Sequence, residues 1–477
     1  MMKRFSSVIF IFFLISSFRG FTQDSTKYLT IKQCVDLAIQ NNLQIQQSQI
    51  QLEQNGVLYK QSKDNLLPQI NAQLSQGQNY GRSISNVDNS YVDQQFGQGN
   101  YGLNANLVLF NGLSLQNAIK QNSLYYNASK MDLQQQKDNI TLSVVLSYLT
   151  VLSNQETLDI ARRQAAVDSA QVARLEIQNK EGAIPPATLY DLKGQYASDL
   201  VNVVNAENAL QTAKVNLFAV LNVPFQKDAT YEMVNMNADV SDLRNSPDSI
   251  YQNALQIIPN IRATDLRVAS YEKSIAVARG KYFPTLSFYG NLNSLWNSTA
   301  VTTFQGAPNS SPTNGFVTVG GQDYVVYQSG FNETQQKTSF SNQLSNNRFQ
   351  NFGLQLNIPI LNYLSVRNSV KTAKLNYQNA KVLASNSRNQ LQQQVELAWE
   401  NLRSAYGQYK GYVEQVKAYG ESFRTAEIRF NAGAITSVDY VIAKNNFDRA
   451  NINLSVARYA YIFRTKILEY YQGRLSF

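Results

Sequence analysis

The chain has no histidine and a single cysteine, Cys34, among its 477 residues. Histidine and cysteine supply most ligands of zinc and copper sites and many catalytic nucleophile pairs, so their scarcity argues against those classes of chemistry. Cys34 lies in a periodic apolar segment, which predicts a packed thiol. The sequence also lacks a nucleophile elbow, a P-loop and an HExxH motif. We therefore expect no enzymatic activity, no cofactor and no metal site.

Charge is sparse and unclustered. The net charge of +9 falls to 9 − 3 = +6 without Lys3, Arg4 and Arg19. The remaining basic residues are scattered, whereas a nucleic-acid site needs a basic stripe, and we expect no nucleic-acid partner. Long apolar runs are missing too, because no interior run reaches the roughly 18 residues that a membrane-spanning helix needs. With a mean hydropathy of −0.32, this argues against a helical membrane bundle.

The N-terminus has the composition of an export signal. In "MMKRFSSVIFIFFLISSFRGFTQ", Lys3 and Arg4 precede an apolar run and small residues near Gly20 and Thr22. This order predicts a secretory signal peptide over residues 1–22, cleaved near Thr22. No cysteine lies next to the predicted cleavage site, so we do not expect an acylated N-terminus. The mature protein is expected to work outside the cytoplasm.

The mature sequence contains an internal repeat. "LLPQINAQL" at 66–74 matches "YFPTLSFYG" at 282–290, 216 positions later, and "YGLNANLVLFNGLSLQNAIK" at 101–120 matches "FGLQLNIPILNYLSVRNSVK" at 352–371, 251 positions later. These matches predict a first repeat over 23–240 and a second over 241–477. The offset grows by 251 − 216 = 35 residues, which predicts a long loop at 294–348, on the extracellular side if the strands form an outer-membrane barrel.

Each repeat contains two strand-like segments, at about 68–76 and 101–111 and at about 284–293 and 350–361. Apolar Leu103, Ala105 and Leu107 alternate with Asn104 and Asn106, and period two with one apolar face is typical of a strand. Such a face covers a soluble core or, in an outer-membrane barrel, contacts lipid while the polar face lines water. Four strands cannot close a barrel alone. Two chains would supply eight strands and three would supply twelve.

The helical segments are long and paired. Leu391, Val395 and Ala398 begin an apolar row that steps by four and three residues up to Phe430, which predicts left-handed coiled-coil packing. The matching helix over 114–180 would extend on the order of 100 Å. Helices at about 30–67 and 186–221 each cover half that length, and another is expected at 248–283. "EGAIPPATLYDL" (181–192) and "AGAITSVDYV" (432–441) then form two hairpin tips, where glycine ends one helix and proline begins the next.

These features together resemble the outer-membrane efflux proteins of the TolC type. The resemblance rests on the tandem repeat, the helix-proline-strand junctions, the two tip sequences and "LNVP" at 221–224. It implies a mainly α chain with a transmembrane β part, in which coiled-coil hairpins form a periplasmic α-barrel. The chain would form a homotrimer, in which four strands from each copy join one 12-stranded β-barrel in outer-membrane lipid. The implied function is a passive exit duct for efflux or type I secretion, docked to a periplasmic adaptor and an inner-membrane pump.

The resemblance also assigns roles to the hairpin tips, where carboxylates of this family constrict the periplasmic entrance. Asp439 matches such a carboxylate, and Thr188 and Asp191 are its candidates in the first repeat. Phe430 and Ile435 stand where the best-studied gates have tyrosine and arginine, so the latch must differ. A plain helix cap is the alternative for Asp439. We expect the isoleucines at the tips to be exposed, which favours adaptor docking over a purely structural role in the turn. The candidate docking residues are Gly182, Ala183, Ile184, Gly433, Ala434 and Ile435.

The rival interpretation is a secreted coiled-coil scaffold or adhesin without transport activity. The four alternating segments argue against it, since a rod has no need of them. The sequence does not identify the cargo.

Overall fold

The computed structural model describes residues 28–84, 90–93, 95–233 and 245–475. The predicted signal peptide, 1–22, lies outside the described residues. Within them, the helices and strands follow in this order: α1 (Ile31–Asn41), α2 (Leu43–Asp64), β1 (Gln69–Asn79), β2 (Arg82–Ile84), β3 (Tyr91–Asp93), β4 (Phe96–Phe110), α3 (Ser114–Lys180), α4 (Pro186–Leu221), α5 (Pro247–Ile257), α6 (Pro259–Gly280), β5 (Thr285–Asn297), β6 (Val301–Val319), β7 (Gln322–Lys337), α7 (Phe340–Asn346), β8 (Phe349–Asn357), α8 (Ser365–Asn431) and α9 (Ser437–Tyr471). None of the helices in this part of the chain is both long and apolar enough to cross a membrane.

The two halves of the chain repeat the same helices. α1 and α2 have 11 and 22 residues, as do α5 and α6, and their starts differ by 247 − 31 = 216 and 259 − 43 = 216. α3 and α8 both have 67 residues and start 365 − 114 = 251 positions apart. The element boundaries therefore reproduce both offsets read from the sequence.

The described residues form two compact units that cut across this repeat. The first draws on Met1–Gln47, Gln134–Ile258 and Leu391–Phe477, and the second on Ser48–Leu133 and Pro259–Gln390. Each unit thus contains segments from both halves of the sequence. The sequence repeats at 23–240 and 241–477 are not the compact units of the fold.

The second unit contains a four-stranded antiparallel sheet in the order β1-β4-β5-β8. Its register places Ile70 opposite Ala105, Leu103 opposite Leu292, and Phe288 opposite Leu354. Because side chains alternate across a strand, these apolar residues share one face and the asparagine-rich positions share the other. The apolar face is exposed, and β1 and β8 are the edges of the sheet.

The strand ends differ from the expected ones. β4 begins at Phe96, before the expected 101, and a register shift interrupts its pairing between Val108 and Phe110. β8 ends at Asn357 instead of about 361. Pro359 follows this end, and its missing N–H cannot continue a ladder of hydrogen bonds.

Residues 294–348, expected to be a loop, contain regular structure. β6 and β7 pair as a long hairpin whose turn holds Gly320 and Gly321 at φ +63° and +91°. α7 then packs against β5, where the backbone N–H of Asn297 donates to the buried Gln343 side chain at 2.8 Å. The Ser, Gly and Asn content suggests a loop. The Val, Thr, Tyr and Phe residues of β6 and β7, however, favour the extended backbone that pairs in this hairpin.

The first helical segment of each half, expected as one helix at about 30–67 and at about 248–283, is broken once into two helices. Asn42 leaves the helical conformation at ψ 124°, and its side-chain oxygen accepts from the N–H of Gln44 at 2.9 Å. It therefore ends α1 and caps α2. In the second half, Ile258 precedes Pro259 and adopts ψ 121°, because proline disfavours the helical conformation of the residue before it.

The predicted packing of Cys34 is confirmed. The thiol belongs to the core of the first unit, is fully buried and forms no disulfide. Burial raises its pKa to about 12. Nearby, the hydroxyl of the buried Tyr148 lies 2.6 Å from the carbonyl oxygen of Leu29 and 2.8 Å from that of Glu232. Cys34 is a packing residue with no reactive thiolate.

Candidate functional site

The two hairpin tips have the same backbone geometry, and both belong to the first unit. Gly182 ends α3 at φ +72°, and Gly433 ends α8 at φ +71°. The N–H of Ala183 donates to the carbonyl of Gln178, and the N–H of Ala434 to that of Arg429, both at 2.8 Å. This is the Schellman motif, which satisfies the last carbonyls of a helix and needs a left-handed residue. The Gly-Ala-Ile sequence recurs because both tips make this turn.

The starts of the returning helices are capped differently. Pro185 and Pro186 begin α4, which has no side-chain cap. At α9, the N–H of Asp439 donates to the Thr436 hydroxyl at 3.2 Å, and the backbone N–H of Thr436 donates back to the Asp439 carboxylate at 3.3 Å. Thr436 and Asp439 thus form a capping box. Asp439 is exposed, so the helix-cap interpretation describes its contacts, while its role in a gate stays a prediction.

Of the two first-repeat gate candidates, Asp191 contacts the other hairpin. Its carboxylate accepts a hydrogen bond from the Ser437 hydroxyl at 2.7 Å, which joins α4 to the first turn of α9. Thr188 instead donates its backbone N–H to the carbonyl of Pro185 at 3.2 Å. The structure therefore brings Asp191 and Asp439 to the same end of the hairpins through Ser437, a buried residue that sequence reasoning missed.

The expectation that the tip isoleucines are exposed is wrong. Ile184 and Ile435 are half-buried and pack against an apolar cluster at the ends of all four tip helices. Its buried members are Val172, Leu175, Leu189, Leu192, Phe430 and Tyr440. An apolar residue just after a Schellman glycine commonly packs back on the last helical turn. The small tip residues Gly182, Ala183, Gly433 and Ala434 are exposed.

Phe430 and Ile435, which replace the family's usual latch residues, have packing roles. The Phe430 ring stacks on Tyr440 at a centroid distance of 4.8 Å. Burial raises the pKa of the Tyr440 phenol. The contact between α8 and α9 at this tip is therefore apolar and aromatic. Among these described residues, Phe430 and Ile435 cannot form the side-chain hydrogen bonds that a tyrosine and an arginine could form.

A buried charged cluster lies deeper in the hairpins. The ammonium of Lys444 is 2.7 Å from Asp448, 2.8 Å from Asp199 and 3.3 Å from Asp168. Lys444 is 1% exposed and Asp168 is fully buried. Sequence reasoning missed this cluster, although it had a signal, since Asp168 occupies a position of the coiled-coil row where its second-repeat counterpart, at 168 + 251 = 419, is tyrosine.

An exposed apolar strand face together with long paired helical hairpins is the architecture of a class of outer-membrane channels, and comparisons with known proteins agree. The model of the family described as outer membrane efflux protein matches residues 34–223 and 326–467. The chain belongs to the outer membrane efflux protein family. It is 23% identical to the outer membrane protein TolC of Vibrio cholerae over 420 residues, which cover 87% of this chain and 84% of that protein.

Solved structures share the fold. The Campylobacter jejuni CmeC outer membrane channel superimposes with a TM-score of 0.73 at 16% identity, covering 94% of this chain and 86% of that one. The outer membrane protein VceC of Vibrio cholerae does so with a TM-score of 0.71 at 12% identity, covering 93% and 96%. Members of the family are channel proteins, and TolC-like channels are trimeric and work with efflux systems. The chain is therefore an outer-membrane efflux channel that extends into the periplasm, and the scaffold or adhesin interpretation loses its support.

Proposed function

We propose that three copies of this chain close one 12-stranded barrel and serve as the passive exit duct of a tripartite efflux or type I secretion system. The observation that carries this proposal is the sheet β1-β4-β5-β8 with its two edges. Unpaired backbone groups at a sheet edge are not tolerated in lipid. Since β1 and β8 are antiparallel to each other, β8 of one copy can pair with β1 of the next and continue the antiparallel order.

The exposed apolar face of the sheet supports a lipid environment. Leu74 is 73% exposed and Phe352 is 79% exposed. Contiguous apolar surface of this kind is rare on soluble proteins and is the usual outer surface of a membrane barrel. On the opposite face, the Asn291 amide donates to Asn351 at 2.9 Å, which suits a wall that lines water.

Cysteine cross-linking between β1 and β8 tests the shared barrel. In a Cys34→Ser background, Ala72→Cys is combined with a series of β8 substitutions around Leu354→Cys. We expect covalent dimers and trimers for at least one register. The control is Asn71→Cys with Asn104→Cys, which are opposite within one chain and should give monomers only. If the whole β8 series also gives monomers only, the chains do not share a barrel.

We further propose that the small-residue tips dock a periplasmic adaptor, which in turn carries an inner-membrane transporter. A Cβ at Gly182 or Gly433 would meet no atom within 4 Å, so a partner can approach the backbone closely. Tyr190 and Val438 lie exposed beside the tips and add apolar contact area. A photo-cross-linking residue at Ala183 or Ala434 should capture the adaptor in cells, and one at the exposed Arg403 of α8 should not. Equal capture at all three positions would contradict docking at the tips.

A further inference from the structure

One lysine faces three aspartates inside the hairpins. Lys444 and Asp448 come from α9, Asp199 from α4 and Asp168 from α3. The cluster therefore joins three helices about three turns from the tip of the α3–α4 hairpin. With every group ionised, its charge would be 1 − 3 = −2. A net charge of this size in the interior of a helical bundle is costly.

Two of the aspartates are well accommodated. Lys444 donates to Asp199 at 2.8 Å and to Asp448 at 2.7 Å. Asp199 also accepts from the Gln195 amide at 2.9 Å. The Asp448 side chain is 16% exposed, beside a cavity of about 250 Å³ that Gln164 and Lys444 also line. Asp199 thus has the hydrogen bonds that an ionised group needs. Asp448 has a short contact with Lys444 and partial solvent access, although burial raises the pKa of Asp448 against the lowering effect of Lys444.

Asp168 has neither such hydrogen bonds nor solvent access. Both of its carboxylate oxygens are buried and, within the described part of the chain, neither has a hydrogen-bond partner of good geometry. The Lys444 ammonium lies 3.3 Å away, but its short contacts go to the other two aspartates. An ionised carboxylate without good hydrogen bonds is costly in such a place, whereas a protonated one is tolerated. Asp168 is thus the surplus carboxylate of the cluster.

Other charged groups near the cluster, including Arg163, which lines the cavity beside Asp448, have no hydrogen bond of good geometry to Asp168 within the described residues. On α9, the Tyr440 hydroxyl is buried without a partner in the described residues, and burial raises its pKa, so it remains neutral. Arg174 of α3 and Glu427 of α8 act on Tyr440 with opposite charges. The Arg174 guanidinium itself donates to Asn431.

We propose that Asp168 is a proton-binding site that controls how tightly α3 packs against α4 and α9. With the proton bound, the side chain is a neutral group in a closed interior. Without it, two buried carboxylates from α3 and α4 repel each other, and separation of the helices hydrates both. This site lies within one chain, so it does not depend on the cargo or on the docking partners proposed above.

The direction of the pH effect follows from the pKa. Burial raises the pKa of Asp168 from 3.8 to about 7, against the lowering effect of Lys444 and with help from the charge of Asp199. A carboxyl whose pKa is raised in the closed state favours that state at low pH and loses this contribution as pH rises through the raised value. If the opened site has an ordinary pKa, the opening equilibrium constant increases about tenfold between pH 6 and pH 8. Acidic conditions hold the helices together.

Infrared difference spectroscopy on the full-length protein in mild detergent tests the proton directly. We expect a carbonyl band of a protonated carboxyl that persists to about pH 7, whereas exposed aspartates lose their protons near pH 4. Asp168→Asn should remove this band. The control is Asp159→Asn, on the same helix but exposed, which should leave it intact. Absence of the band in the wild-type protein, or its survival in Asp168→Asn, would overturn the proposal.

Hydrogen exchange tests the mechanical consequence. After correction for the intrinsic pH dependence of exchange, segments around Asp168 and Lys444 should open about tenfold more at pH 8 than at pH 6. Asp168→Asn should stay protected at both pH values, and Asp159→Asn should behave like the wild type. A tenfold change that persists in Asp168→Asn would place the titrating group elsewhere. If Asp168→Asn does not assemble, the infrared titration of the wild-type protein tests the proposal by the presence or absence of the carbonyl band near pH 7. Trimer formation on a gel reports separately on the proposed duct.

Discussion

The hydroxyl of Ser437 donates to the carboxylate of Asp191 at 2.7 Å, across the two hairpins of the chain. Ser437 is the first residue of α9, and Asp191 lies in the second turn of α4. This hydrogen bond connects the two tips outside their apolar cluster. It is therefore a specific contact that must break if the hairpins separate at the entrance.

Removal of either partner should loosen the entrance. Asp191→Ala and Ser437→Ala should each cost about 1 kcal/mol in the free energy of unfolding of the tip, because a typical intramolecular hydrogen bond contributes on this scale. The double variant should cost little more than either single one, since both remove the same bond. Thermal unfolding of the detergent-solubilised protein measures this. Fully additive effects would show that the two side chains act independently.

Two substitutions of Asp439 separate its capping role from a gating role. Asp439→Ala removes the capping box and should destabilise α9 by about 1 kcal/mol. Asp439→Asn keeps an acceptor for Thr436 and removes the charge. If three copies of Asp439 meet at the entrance, both variants should lose cation selectivity in planar bilayers, most clearly at low salt. Unchanged selectivity in both variants, with lower stability only for Asp439→Ala, would leave Asp439 as a cap alone.

Glycine substitutions should have opposite signs at the tip and within a helix. Gly182→Ala and Gly433→Ala place a Cβ at φ +72° and +71°, which should cost about 1 kcal/mol each through backbone strain. Gly407 of α8 is the control, because a Cβ there also meets nothing within 4 Å but the backbone is helical. Gly407→Ala should stabilise the helix by roughly 0.5–1 kcal/mol. Calorimetry of the three variants measures these changes in stability. If Gly182→Ala and Gly433→Ala cost nothing, the tip tolerates alanine and its turn is flexible.

The β6–β7 hairpin should face the outside of the cell. An epitope inserted between Gly320 and Gly321, at its turn, should be labelled on intact cells without loss of assembly, since both glycines have open space around them. An epitope after Ala434 should be labelled only when the outer membrane is disrupted. The reverse pattern of labelling would invert the topology.

The repeat made much of this fold predictable. The offsets of 216 and 251 located α3 and α8 because helix periodicity and glycine turns are local signals. The break at Asn42 was not visible, since the amide of Asn42 donates to the carbonyl of Val220 on a distant helix at 3.2 Å. The break before Pro259 has a local signal in the sequence, the proline itself. For the Lys444 cluster, single positions such as Asp168 were suggestive, but only the packing of three helices shows which aspartate lacks a partner.

The equal lengths of α3 and α8 restrict how this protein can vary in evolution. Both helices have 67 residues, and the Asp191–Ser437 bond requires their tips to end at the same level. An insertion of four residues in one helix would displace its tip by about 6 Å and locally unwind the coiled coil. Insertions and deletions are therefore expected in both halves together and in multiples of seven. The two halves of the chain thus form a pair of helices whose lengths are not independent.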